Sequence, residues 1–153
     1  IDRSRGLGDV YKRQAKRFSV SIERMKQMTE ERLYGNCHCG SVQFSIPRNL
    51  DMSAVRRCDC SLCKRRGAIM LACPIEDVEI EEGAEHLVHY KWNTKVATHH
   101  FCSKCGIMTH HQRRTTPEIC GINVGCIDDI DYRSFHDVPM NNGVDLAIME
   151  NNH

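Results

Sequence analysis

Cys37-His38-Cys39-Gly40-Ser41-Val42-Gln43-Phe44-Ser45-Ile46-Pro47 is the stretch on which the reading of the fold turns. Val42, Phe44 and Ile46 alternate with polar residues, the period-two pattern of a strand with one face buried. Pro47 ends the pattern because it has no N–H to give to a ladder. Two cysteines stand directly ahead of that strand. Residues two apart on extended backbone point to the same side, so both sulfurs of a Cys-x-Cys can reach one metal ion. The first element expected is therefore a metal-binding turn that feeds a half-buried strand.

Two further clusters follow, Cys58-Asp59-Cys60-Ser61-Leu62-Cys63 and Cys102-Ser103-Lys104-Cys105-Gly106. A Cys-x-x-Cys turn aims two thiolates at one ion about 2.3 Å away, and the glycine after Cys105 can take the positive φ such a turn often needs. Seven clustered thiols do not fill two four-coordinate sites, but they divide as four plus three. Cys37 and Cys39 with Cys102 and Cys105 would make a closed site joining the start of the core to its far end, a large constraint on the unfolded chain. Cys58, Cys60 and Cys63 would leave a fourth position for water or substrate, as catalytic zinc sites do. Spacing alone leaves two other arrangements open. Cys60 and Cys63 can join Cys102 and Cys105 in a ribbon, or a histidine can complete the triplet, drawn from His89, His99, His100, His110, His111 and His136.

Ten cysteines in 153 residues mean disulfides in a secreted protein and metal ligands in an intracellular one. No apolar stretch stands near the start, and the mean hydropathy is −0.49. No secretory signal and no membrane span are expected, and the chain is read as a cytoplasmic metal protein. The formal net charge is +1, unevenly spread: Ile1 to Leu33 hold nine Lys/Arg against five Asp/Glu, the remainder twelve against fifteen. Seven thiolates with two Zn²⁺ would add about three negative charges, which makes the core a poor generic nucleic-acid binder.

Residues 1–33 are expected to stand outside the core. The opening lacks an initiating Met, and Asp9-Val10-Tyr11-Lys12-Arg13-Gln14 resembles translated library-adapter sequence, so residues 1–14 are set aside as non-native. Residues 15 to 33 read as a frayed or short helical lead-in. Residues 34–153 form the expected zinc-binding domain. Besides the strand at Val42, the runs Ile69–Cys73, Val78–Ile80, Leu87–Trp92, Val96–Phe101 and Ile119–Val124 are rich in β-branched and aromatic residues and punctuated by Gly, Pro, Asn and Asp. No segment after residue 34 keeps a helical period. The class expected is mainly β, with short strands and a thin core that metal clips reinforce.

Tyr34-Gly35-Asn36-Cys37-His38-Cys39-Gly40-Ser41-Val42, the Cys58 triplet, Phe101-Cys102-Ser103-Lys104-Cys105-Gly106 and Gly121-Ile122-Asn123-Val124 together resemble the glutathione-dependent formaldehyde-activating enzyme family, which also includes centromere protein V-like proteins. The resemblance covers roughly Tyr34 to Gly143. It implies an Mss4-like fold of mostly antiparallel strands with two zinc ions per chain. It also implies that Cys37, Cys39, Cys102 and Cys105 hold a structural zinc while Cys58, Cys60 and Cys63 hold a catalytic one. The reaction implied is reversible addition of a glutathione-like thiol to formaldehyde, a carbon–sulfur lyase reaction in reverse. A metal framework is shared more firmly within a family than a substrate is. The other reading is a non-catalytic, zinc-stabilised binding module of the same fold, which predicts a fourth protein ligand on the triplet.

Cations flank the triplet: Arg56 and Arg57 before it, Lys64, Arg65 and Arg66 after it. They are candidates to hold the carboxylates of the thiol substrate, arginine bidentately, although a charge run is more often a solvated loop. His99-His100 and His110-His111 are expected to alternate inward and outward along strands, as packing residues or supports of the ligands, and a general acid–base role for one of them is the lesser reading. Cys73 and Cys120 read as buried small hydrophobes and Cys126, after Gly125, as more exposed. Tyr90 and Trp92 read as core or rim. Nothing in the sequence sets an oligomeric state.

Overall fold

A computed structural model of the chain describes residues 31–144. The stretch set aside as non-native, and the lead-in up to residue 30, lie outside the described residues. The chain divides into two units, residues 1–32 and 33–153, and all ten cysteines belong to the second.

Ten short strands are described, as the period-two runs and frequent breakers lead one to expect. A five-stranded antiparallel sheet has the order β4-β9-β8-β7-β6, from Met70–Pro74 (β4), Leu87–Tyr90 (β6), Thr98–Cys102 (β7), Met108–Gln112 (β8) and Ile119–Asn123 (β9). A three-stranded sheet orders β1-β2-β5, from Arg32–Asn36 (β1), Gln43–Pro47 (β2) and Glu79–Glu82 (β5). The third sheet is a pair of two-residue strands, Arg57–Cys58 (β3) and Met140–Asn141 (β10), running parallel. Apart from single 3-10 turns, the helix beyond residue 32 among the described residues is Cys63–Arg66 (α1), which ends at Gly67.

The two larger sheets share one core. Phe44 and Ile46 from β2 meet Leu71 from β4 and Ile122 from β9, joined by Ile69 and Val124, and none of these is more than 1% exposed. Leu33, just ahead of the expected core, is buried in the same cluster. Val42 leaves that cluster. It sits in the turn before β2, and its buried side chain packs with Cys37 and Cys102, so the alternation that begins at Val42 serves the metal turn first and the core second.

Four strands were invisible to pattern. Strand β1 begins at Arg32, inside the stretch read as a helical lead-in. Strand β8 buries Met108, Thr109 and His110, side chains that carry no apolar period. Strands β3 and β10 are too short for any period. The runs through Leu87–Trp92 and Val96–Phe101 are shorter than expected, because Trp92 to Lys95 form a turn closed by the Lys95 N–H donating to the Trp92 carbonyl at 3.0 Å.

Candidate metal centres and the adjoining cavity

The four sulfurs of Cys37, Cys39, Cys102 and Cys105 lie within 4.8 Å of one another. They are brought together by two hairpin tips of the same design. Cys37 donates its N–H to Val42 O at 3.0 Å and accepts from Gly40 N at 2.9 Å; Cys102 donates to Ile107 O at 3.0 Å and accepts from Gly106 N at 2.8 Å. Gly40 and Gly106 have φ of +73° and +74°, the left-handed conformation that glycine adopts without steric cost. The Cys-x-Cys tip is one residue tighter than the Cys-x-x-Cys tip, which is why its glycine bonds back three residues instead of four.

A tetrahedron with metal–sulfur bonds of 2.3 Å has edges of about 3.8 Å. The Cys37–Cys39 and Cys39–Cys102 sulfur separations are 3.6 and 3.7 Å, so the cage already has the size of a four-thiolate site. Burial pushes the Cys37 thiol up to about 11, while hydrogen bonds from Ser41 draw Cys39 down to about 6. Clustered thiols with such opposed tendencies all become thiolates when a divalent cation joins them. The donor set therefore fits a metal.

Cys58, Cys60 and Cys63 form the second group, again with all sulfurs within 4.8 Å. Here the local chain does the gathering. Cys58 ends β3, Cys63 opens α1, and the turn between them is tied by the Lys64 N–H to Cys60 O at 3.1 Å and the Cys63 N–H to the Cys60 sulfur at 3.4 Å. Burial raises the thiols of Cys58 and Cys63 above the ordinary range, whereas Cys60, despite its burial, is drawn down by main-chain N–H bonds from Cys63 and Leu62; a divalent cation would hold all three as thiolates. No histidine or carboxylate joins the three sulfurs among the described residues.

The segment after β10 closes over this triplet, which the sequence did not suggest. Asp59 N–H donates to Asn141 O at 3.3 Å, and the Asp59 carboxylate accepts from Gly143 N at 2.6 Å and Val144 N at 3.1 Å. Gly143 lies so close that a Cβ there would overlap the Cys58 sulfur and stand 2.8 Å from the Cys60 Cβ. The middle residue of Cys-x-Cys is thus the anchor of a strap.

All three sulfur-bearing residues line a cavity of about 270 Å³. Of the expected cations, Arg56, Arg57 and Arg66 line it and Lys64 and Arg65 do not. Arg65 turns back to the Ser61 carbonyl, and Arg56 donates to the carbonyls of Ser53 and Val55 at 3.0 and 2.7 Å. Arg66 donates to His99 Nδ1 at 2.9 Å and lies 4.7 Å from the centre of the Phe101 ring. Because a guanidinium only donates, that bond makes Nδ1 the acceptor and puts the proton of neutral His99 on Nε2. Arg113 and Arg114 also line the cavity, and among the described residues no Asp or Glu does. They follow β8, some fifty residues from the triplet in sequence, so only their unusual adjacency could have hinted at them. Trp92 is a rim residue of the same cavity, and Tyr90 is exposed.

The histidines alternate as expected, on two faces. His99 and His111 face each other across β7 and β8 with rings stacked at 5.0 Å, lining the cavity. His100 and His110 stack at 4.3 Å on the other face, with His89 6.2 Å from His100. Burial pushes His99 down to about 4 and His110 and His111 to about 3, so all three are neutral near pH 7. His136 is exposed and belongs to neither group. Cys73 and Cys120 are fully buried, and so, against expectation, is Cys126, whose thiol points to the Met108 carbonyl at 3.6 Å because the short turn after β9 folds it back under the sheet.

Among the described residues no helix is long and apolar enough to cross a membrane. Comparison with known proteins matches residues 32–139 to the family model described as glutathione-dependent formaldehyde-activating enzyme. A Halomonas elongata protein provisionally named glutathione-dependent formaldehyde-activating enzyme is 34% identical over 84 residues, 48% of this chain and 51% of that protein. The chain thus spans about half the length of the curated relative it matches. A crystal structure of a Rhodobacter sphaeroides protein is 42% identical, with a TM-score of 0.68 over 71% of this chain and 99% of the other. The family model spans β1 to β9, both cysteine groups and the arginines of the cavity, and on that evidence this chain belongs to the glutathione-dependent formaldehyde-activating enzyme family.

Proposed function

We propose that the chain is a zinc-dependent carbon–sulfur lyase that forms and breaks a thiol–aldehyde adduct of the S-hydroxymethylglutathione type. The observation that carries this reading is the three-sulfur group of Cys58, Cys60 and Cys63, which borders a cavity and has no fourth protein ligand among the described residues. The four-sulfur group, in contrast, is complete and does not line that cavity. Zinc suits both donor sets, since soft thiolates favour it and tetrahedral sites of this size are its usual geometry.

Zinc at an open three-thiolate site supplies a Lewis-acidic position that ionises a thiol or polarises an aldehyde oxygen. The chain's own residues do the rest. Arg57 and Arg66 border the triplet and offset its net charge of about −1 when metal is bound. Arg57 also offers a planar donor set for a substrate carboxylate, while Trp92 and Met108 narrow the space left to water. In the forward direction one sulfur–carbon bond forms and the thiol proton passes to the aldehyde oxygen; the reverse breaks that bond and restores both partners.

The test is the exchange of formaldehyde and glutathione followed with and without the metal-loaded protein, together with metal analysis. Acceleration over the spontaneous reaction and close to two zinc ions per chain are expected. An exchange rate equal to background, with both metals present, would leave the non-catalytic binding module as the better reading.

A further inference from the structure

We infer that Arg113, together with Arg57, forms an oxyanion clamp that selects thiols bearing carboxylates, making Arg113 a specificity-determining residue of the cavity. The inference rests on the thiol-binding role proposed above. It starts from an imbalance of donors and acceptors. Among the described residues five arginines line the cavity and no acidic side chain does. Three of the five have partners. Arg56 is spent on two main-chain carbonyls, Arg66 on His99 and Met108, and Arg114 has interactions of its own. Arg57 and Arg113 remain. Neither is paired with a carboxylate among the described residues, and the buried Nε of Arg57 has no hydrogen-bond partner.

Both side chains are half-buried. A guanidinium drawn out of water without an anion is unfavourable, and no Asp or Glu among the described residues pairs with either side chain. Their chain positions supply the geometry. Arg57 belongs to β3 beside Cys58, whereas Arg113 lies just past β8, two residues on from the cavity-facing His111, with its main-chain N–H held by Ile119 O at 3.1 Å. Two cations from separate elements, lining the same cavity as the sulfur group, suit a ligand whose thiol goes to the triplet while carboxylates go to the arginines. Each carboxylate can accept two parallel N–H bonds from one guanidinium.

The probe is S-methylglutathione, which has both carboxylates of glutathione but no reactive thiol, compared with its diethyl ester. Binding to the zinc-loaded protein is measured by calorimetry. The acid is expected to bind about tenfold or more tightly than the ester, with an affinity that falls as NaCl is raised. In Arg113→Gln that preference falls several-fold, and Arg113→Lys recovers part of it; both variants are checked for two bound zinc ions. Should Arg113→Gln lose metal, Arg113→Lys and the salt dependence of the wild-type preference decide the matter.

Equal binding of acid and ester by the wild type, no binding of either, or an unchanged preference in both arginine variants overturns the clamp. The outcome is separable from turnover. Arginine-dependent binding of the acid without any acceleration of formaldehyde exchange keeps the clamp and removes the lyase reading. Acceleration with an unaltered preference does the reverse.

Discussion

The two cysteine groups differ in where their sulfurs come from, and the proposed division of roles rests on that difference. Cys39 and Cys102, members of the four-sulfur group, are 63 residues apart in sequence. All three ligands of the other group lie between Cys58 and Cys63. By the logarithmic cost of loop closure, joining ends 63 residues apart restrains the unfolded chain about 2 kcal/mol more than joining ends five apart. A metal in the first group also ties the three-stranded sheet, through the β1–β2 turn, to the five-stranded sheet, through the β7–β8 turn. A metal in the second ties only a turn to itself. Burial does not follow the same division: Cys37 and Cys102 are almost wholly buried, but Cys39 is exposed and Cys105 half-buried, as Cys58, Cys60 and Cys63 are; what sets the triplet apart is the cavity it borders. One group closes the fold, and the other is held by it.

The strongest way to break this comparison is to remove one ligand from each group. Cys105→Ser is expected to abolish the folded protein, because metal-coupled folding energy at a structural site is on the order of 10 kcal/mol. Cys60→Ser is expected to leave circular dichroism and one bound metal intact and to lose exchange activity. Identical behaviour of the two variants would show that the groups share one role.

A sharper probe leaves every sulfur in place. Gly143→Ala puts a methyl group where the Cys58 sulfur stands, so the strap must shift. Release of one metal to a chelator is expected to quicken by at least about tenfold, since support of this kind commonly carries 10–100-fold in metal affinity, while the other metal stays. Asp59→Asn is expected to act in the same direction and more weakly, because an amide oxygen still accepts from Gly143 and Val144 but without a charge, a loss of about 1 kcal/mol. Equal quickening of both metals would mean that the strap supports the whole fold and not the triplet.

The last effect is read in acid stability instead of metal release and concerns the strands that run between the groups. His110 and His111 have folded-state values near 3, below the unfolded value of about 6.5. The unfolded chain therefore takes up more protons as pH falls, and stability is full above about pH 6.5 and declines below it, by about 1.4 kcal/mol per pH unit for each imidazole. Urea unfolding at pH 7.5 and 5.5 reads this slope, and His110→Gln should make it shallower. A slope unchanged in that variant would show that His110 does not contribute to the acid sensitivity.

How much of this was legible can be judged residue by residue. Val42 to Ile46 announced a strand because alternation is written locally, in which side chains are apolar. Strand β8 did not, because its buried residues are Thr109 and His110, whose burial depends on the partner strands β7 and β9. The cysteine spacings contained the four-plus-three division as one of several arrangements; the fold brings the sulfurs together in that arrangement and leaves His89, His99, His100, His110, His111 and His136 out of both groups. Arg56, Arg57 and Arg66 were visible beside the triplet, but Lys64 and Arg65 flank it just as closely in sequence and point elsewhere. A helical turn such as α1 spreads consecutive side chains by about 100° each, so adjacency in sequence does not mean a shared surface.

The sequence by itself determined the cysteine groups as candidate metal sites, the β class and the family, because thiol spacing and apolar alternation are local properties of the chain. Only the tertiary structure decided which cations face the open group, that Asp59 and Gly143 close a strap over it, and that Arg113 reaches the same cavity from a distant strand. Those are matters of long-range approach, set by sheet order and by which buried charges find a partner, and no local pattern records them.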